Sequence, residues 1–237
     1  MPHSAKEFLR SWCPPVLWDS LRAARTHAKS PTATGAVGDQ QDLNVYWDEN
    51  LAQVLETWGE KNAWNEIQLL MENCSGKVLD IACGTGKVME LLAGRPRIEV
   101  HGFDISDFLL QKAAARGIAS DRLKVSDATK TAYSDGAFQY SYSIGSLEHF
   151  TLDGVTAFLS EASRITEIAS FHMIPISRSG LDEGWIKTIQ TYHNNSLGWW
   201  LPRFEAAFSI VEVVGSAWED EISTGLWFLC RKDIPAV

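Results

Sequence analysis

The sequence predicts an α/β fold built on a mostly parallel sheet, and three observations carry that prediction. The first is Val78-Leu79-Asp80-Ile81, a buried-strand pattern that leads into the turn Ala82-Cys83-Gly84-Thr85-Gly86. Val88-Met89-Glu90-Leu91-Leu92 follows at helical spacing. The second is a pair of further strands that also end in carboxylates, at Asp104 and Asp127. The third is the alternation of these strands with helical patterns, which places a ligand cleft at the strand C-termini.

The turn alone is compatible with three ligand classes. A dinucleotide site has G-x-G-x-x-G, but Met89 stands where the third Gly belongs. A phosphate-binding P-loop has G-x-x-x-x-G-K-[ST], but Ile81 replaces its first Gly and Val88 its Ser/Thr. What remains, D-x-A-C-G-T-G over residues 80–86, strongly resembles motif I of the class I S-adenosylmethionine (SAM)-dependent methyltransferases. That resemblance implies SAM as cofactor and S-adenosylhomocysteine as product. It also implies a Rossmann-like, seven-stranded, mostly parallel sheet with an antiparallel edge hairpin. Asp80, Ala82, Cys83, Gly84 and Gly86 would then surround the cofactor, with Ala82 in a place often held by Gly.

Composition narrows the classes further. A chain of 237 residues with 45% hydrophobic and 22% charged residues can bury the core of one domain with an appendage. The net charge of −9 argues against a nucleic-acid acceptor, which favours a basic face. Cys13, Cys74, Cys83 and Cys230 form no C-x-x-C pair and no metal-ligand cluster, the pattern of reduced cytosolic thiols. No apolar run reaches membrane-spanning length, and a cytoplasmic enzyme is expected.

Residues 1–43 form a separate arm and linker ahead of a domain over 44–237. Residues 1–30 hold five basic and two acidic residues, +3, so the rest of the chain carries −12 of the total −9. With Trp12 and Trp18 and a break at Pro14-Pro15, this arm reads either as an amphipathic piece on an anionic membrane surface or as a helical arm packed on protein. Residues 30–42 are small and polar, a linker. A helix is expected over 48–73, with Tyr46 and Trp58 as lid residues over the cofactor by resemblance.

The second strand, near 97–106, ends at Asp104-Ile105, and Asp104 lies 18 positions beyond Gly86. That is close to the spacing at which nucleotide-binding α/β folds place a ribose-binding carboxylate, while Ser106 is the better helix cap. The third strand, 123–128, ends at Asp127-Ala128; by resemblance Asp127 takes the adenine amine and Ala128 touches the ring. Strand four and its loop, 136–150, carry Ser143-Ile144-Gly145 beside the cofactor and end Ser146-Leu147-Glu148-His149. That ending is similar to a motif of small-molecule methyltransferases, and the N/D-P-P-Y motif of amide and adenine N-methylating enzymes is missing.

A helix over 151–167 leads to strand five at 169–177 without the usual P-G-G turn. Residues 178–204 read as an acceptor-shaping insertion whose His, Asn and Trp pattern resembles, more loosely, methyltransferases of bacterial surface-glycan biosynthesis. A packed subdomain is the other reading of the same aromatics. Two last strands, around 210–214 and 226–230, form the edge hairpin.

A hydroxyl acceptor needs a base, and His suits neutral pH. His149 is the first candidate, His193 the second and His172 the third; Tyr192, Asn194 and Trp199, with His172, are expected to contact the acceptor. The predicted function is methyl transfer from SAM to a hydroxyl of a small molecule or carbohydrate by a monomer or homodimer. Two alternatives are a peripheral membrane methyltransferase of a lipid or lipid-linked glycan and a non-catalytic SAM-binding protein. A nicotinamide oxidoreductase ranks behind both, since the third Gly is missing.

Overall fold

The structure is a computed structural model that describes residues 41, 43–187 and 190–232. The expectations for residues 1–30 and for most of the linker lie outside the described residues.

Seven strands form one sheet in the order β3-β2-β1-β4-β5-β9-β8. They are β1 (Gly76–Ile81), β2 (Ile98–Asp104), β3 (Leu123–Val125), β4 (Phe138–Ile144), β5 (Thr166–Ser177), β8 (Ile210–Glu219) and β9 (Ser223–Arg231). The first five run parallel, and β9 is antiparallel to both β5 and β8. This is the Rossmann-like, mostly parallel seven-stranded sheet with an antiparallel edge hairpin expected from the resemblance at motif I. The strand order reverses between β1 and β4, and the C-terminal ends of these two strands meet the cleft described below.

Alternate side chains feed two cores on opposite faces of the sheet. Leu79 and Ile81 of β1 join the helices α5 (Leu152–Ile165) and α6 (Leu197–Ala207), whose Phe158, Trp200 and Phe204 are fully buried. Val78 points the other way, toward α2 (Ala63–Leu70), α3 (Lys87–Leu92) and α4 (Asp107–Ala115). With both faces covered, β1 is apolar on both, which is why its sequence is a continuous aliphatic run rather than an alternation. Each large buried side chain contributes roughly 1.5–3 kcal/mol of transfer free energy.

The helical faces follow from spacing and caps. Thr151 accepts from Gly154 N to start α5, and Val155, Phe158, Leu159, Ala162 and Ile165 form its buried stripe, as expected. Helix α5 then passes directly into β5, because Thr166 is already extended. The Gly136 N–H takes the Arg164 carbonyl, so one orphan acceptor of the last turn is satisfied without a glycine turn.

Several expected boundaries differ. The helix expected over 48–73 is two helices, α1 (Glu49–Leu55), capped by Asp48, and α2, capped by Asn62. Between them Lys61 adopts φ 66° and Gly59 lies under Trp64, where a Cβ would stand 2.2 Å from the indole nitrogen. Residues 178–204 split into the hairpin β6 (Trp185–Lys187) and β7 (Thr191–His193) and the start of α6. The edge strands run longer than expected because β8 and β9 continue pairing to Glu219 and Thr224. Among the described residues no helix is long and apolar enough to cross a membrane.

Candidate functional site

A cleft of about 270 Å³ opens at the C-terminal ends of β1, β2 and β4. Of the residues singled out from sequence, Tyr46, Asp80, Ala82, Cys83, Gly84, Asp104, Ile105, Asp127, Ala128, Ile144, Gly145 and His149 line it, as does Trp58. Gln41, Leu43, Thr85, Phe150 and Gln190 also line it and were not anticipated as site residues.

The turn after β1 reaches the cleft by alternating left-handed residues: Ala82 at φ 57°, Gly84 at 53° and Gly86 at 71°. Gly84 faces the cleft. Gly86 does not line it: a Cβ there would lie 2.6 Å from Ile118 and 2.8 Å from Ala113 of α4. Its role as a cofactor contact is therefore corrected to one of backbone conformation and close packing. Ala82 carries a Cβ in a conformation that costs L-residues about 1–2 kcal/mol.

Two buried carboxylates form the floor. Asp104 is 5% exposed; its Oδ2 accepts from Gly84 N at 2.9 Å and its Oδ1 from Ser106 N at 2.9 Å. Burial pushes its carboxyl up, and the amides of Ser106, Gly84 and Ile105 oppose that. Asp80 accepts from the Tyr142 hydroxyl at 2.9 Å. Burial raises Asp80 well above the carboxylate range, the Tyr142 bond offsets part of this, and the nearby Asp104 charge adds to it. Asp127 is exposed at the rim and accepts from Thr129 N and Oγ1. Burial also pushes the Cys83 thiol up, so it stays protonated.

At the other end, His149 is 8% exposed in the 3₁₀ turn Leu147–His149. Its Nδ1 donates to the Thr191 carbonyl at 2.9 Å, which ties the turn to β7 and fixes the tautomer, since a carbonyl only accepts. Burial lowers its pKa to about 4 against the carbonyls of Thr191 and Gly145, so the ring is neutral at pH 7. Trp58 packs over Gly145 and against Trp218, ring centroids 5.1 Å apart, and closes one wall. On the N-terminal side, the Tyr46 carbonyl accepts from Ser106 Oγ and its hydroxyl from Gln41.

Six other predicted residues lie away from the cleft. Ser143 and His172 share a buried chain on the α5–α6 face: Ser143 Oγ bonds His172 Nδ1 at 2.8 Å, and Ser170 Oγ bonds His172 Nε2 at 2.7 Å. His172 is fully buried beside Phe158, Phe204 and Phe208, and burial lowers its pKa to about 3. It is a structural hydrogen-bonder, not an acceptor contact. Ser143 is displaced by strand alternation, because its neighbour Tyr142 takes the face that reaches Asp80.

His193 sits between Trp185 and Trp199, centroids 4.3 and 5.0 Å away. Tyr192 is bonded to Ser223, Asn194 to Glu183 and Ser223, and the Trp199 ring is covered by Arg203 at 3.5 Å. These four pack the hairpin and α6 onto the sheet; from residues 178–204 only Gln190 reaches the cleft among the described residues.

Residues 78–167 match the family model described as a methyltransferase domain. A chain of the complex between the Haloferax volcanii Trm112 methyltransferase activator and a methyltransferase superposes with TM-score 0.62 at 15% identity, covering 81% of this chain and 98% of that one. The SAM-dependent methyltransferase from Mesorhizobium loti gives 0.58 at 15% identity, covering 71% and 97%. The cyclase SpnF gives 0.59 at 18% identity, covering 73% and 81%. At these identities the likeness concerns the fold. No curated protein matches the sequence.

The site fits SAM on its own chemistry. A sulfonium, an ammonium, a ribose diol and an adenine amine are all positive charges or donors, and the cleft offers carboxylates between apolar walls. Lys87 is the one cation lining it among the described residues, and it is paired with Glu90 at 2.8 Å. A pyrophosphate would instead face Asp80 and Asp104.

Proposed function

We propose that this protein is a SAM-dependent methyltransferase and that it methylates a hydroxyl of a small-molecule or carbohydrate acceptor, a reading supported by the methyltransferase-domain match over residues 78–167. The observation that carries the reading is the pairing of two buried acids, Asp80 and Asp104, with a neutral imidazole, His149, at the other end of one cleft. SAM supplies a methyl group already activated by its sulfonium. Asp104 holds the ribose hydroxyls, Asp127 and Ala128 the adenine, and Asp80 the cationic amino-acid end. Trp58 and Tyr46 exclude water. His149 takes the acceptor proton, and Gln190 and Phe150 border the acceptor.

The enzyme is cytoplasmic in this reading, acts as a monomer or homodimer, and serves surface-glycan synthesis. A peripheral membrane enzyme acting on a lipid or lipid-linked glycan is the second reading, motivated by the basic arm over residues 1–30. A SAM-binding protein without methyl transfer is the third, motivated by the cyclase SpnF sharing the fold.

Calorimetric titration with SAM, S-adenosylhomocysteine and NAD comes first, followed by a panel of sugars and phenols scored by S-adenosylhomocysteine release. Micromolar binding of the first two ligands and release with a hydroxyl compound are expected. Binding without release on any acceptor favours the third reading, and no binding refutes all three. Vesicle sedimentation with and without residues 1–30 decides the membrane form.

A further inference from the structure

Glu148 is a buried carboxyl that the cofactor end of the cleft does not use. It lies beside His149 in the 3₁₀ turn, 3% exposed, with Oε2 unbonded among the described residues. Its Oε1 is 3.8 Å from His149 Nε2. Because Nδ1 donates to Thr191, Nε2 is the basic nitrogen of the ring, and it faces this carboxyl. Burying an unsatisfied carboxyl is costly, and such groups cluster where a protein uses them.

We propose that Glu148 is a positioning residue for His149, its carboxylate supplying the negative charge that lets the imidazole hold an acceptor's proton. The inference rests on His149 being the base. In that step the acceptor O–H bond breaks with its electron pair left on oxygen, and the Nε2 lone pair forms the new N–H bond. A ring held near pKa 4 by burial is a weak base alone, and a carboxylate beside Nε2 strengthens it by favouring the protonated ring. Burial raises Glu148 to about 8, so the charge appears only as pH rises through that region.

His193 is the other titratable group acting on the ring, and its charge lowers the His149 pKa further. Of the elements packed on the turn, β7 brings Tyr192 and His193, β5 brings His172, and α5 brings Asp153 in its first turn. Burial keeps the Tyr192 phenol neutral above its ordinary range, and His172 is bonded on both nitrogens. The charges of Asp220, Glu148 and Glu183 push that phenol up further.

The test is an NMR titration of the His149 imidazole nitrogens, from about pH 6 to about pH 10, in the wild-type protein and in Glu148→Gln. The wild-type ring is expected to shift with a midpoint near 8, and E148Q to lose that midpoint while binding S-adenosylhomocysteine within about twofold of wild type. With an acceptor in hand, wild-type turnover should rise about tenfold across the same interval and E148Q should stay low and flat. Identical imidazole titrations, or a turnover profile unchanged in E148Q, would overturn the proposal. Should E148Q fail to fold, the wild-type titration decides, and a ring without that midpoint overturns it. The titration needs no acceptor, so its failure is separate from a failure of the methyl-transfer reading, which SAM calorimetry reports.

Discussion

Replacing Asp104 by Ala removes two things at once, and the structure gives a size to each. Its carboxylate receives the Gly84 and Ser106 amides, both at 2.9 Å, and these bonds tie the turn after β1 to the end of β2. Hydrogen bonds to a charged group contribute about 1.5–3 kcal/mol each, and burial of the charge offsets part of that. A stability loss of roughly 2–4 kcal/mol is therefore expected. A carboxylate has about four lone-pair sites, and those the backbone amides leave open can accept from a ribose hydroxyl. Losing them should weaken SAM binding at least about tenfold, about 1.4 kcal/mol. Asp104→Asn keeps the shape, but its amide nitrogen must point a donor at one backbone N–H, so its affinity should fall between the two. The assay is calorimetry with SAM beside a urea unfolding curve for each variant. SAM affinity within twofold of wild type in a folded Asp104→Ala would refute the assignment of this residue to the cofactor.

Three further outcomes follow from local geometry. Ala82→Gly should leave stability unchanged or raise it by up to about 1 kcal/mol, because relief at φ 57° outweighs the added freedom of the unfolded chain; a lowered urea midpoint would contradict this. His172→Ala should cost about 3 kcal/mol through its cavity and two lost hydrogen bonds while SAM affinity stays near wild type, and a tenfold loss of affinity in the folded variant would return it to the site. Glu148→Gln should stabilise the protein at neutral pH. The folded pKa of about 8 exceeds the unfolded value of about 4.3, so this carboxyl's contribution is full below the unfolded value and lost as pH rises toward 8. The gain should be on the order of 3 kcal/mol near pH 7 and shrink toward pH 4, and a gain independent of pH would refute the buried, protonated carboxyl.

The sequence by itself determined the strand order of the chemistry: an aliphatic run, an acid, a Gly-rich turn and a helix, then two more acid-ended strands. Each of these is a short-range pattern, set by burial of β1 on both faces and by the few residues that tolerate a left-handed turn. Hence Asp80, Gly84, Asp104 and Asp127 all reached the cleft. Only the tertiary structure decided which way the remaining candidates face. His172 and Ser143 sit one strand apart in register, and sheet alternation sends both to the helical face opposite Tyr142. His193, Tyr192, Asn194 and Trp199 are polar or amphipathic residues that tie the hairpin and α6 to the sheet, a role their composition shares with a binding surface. Gln190 carries no motif of its own, and Glu148 stood in the Ser146–His149 ending without a role; pairing of β6 with β7 brings the first to the cleft, and the Thr191–His149 bond fixes the ring against which the second lies. Local patterns fix what a segment is, whereas the facing of a side chain depends on partners far along the chain, whose positions no window of sequence contains.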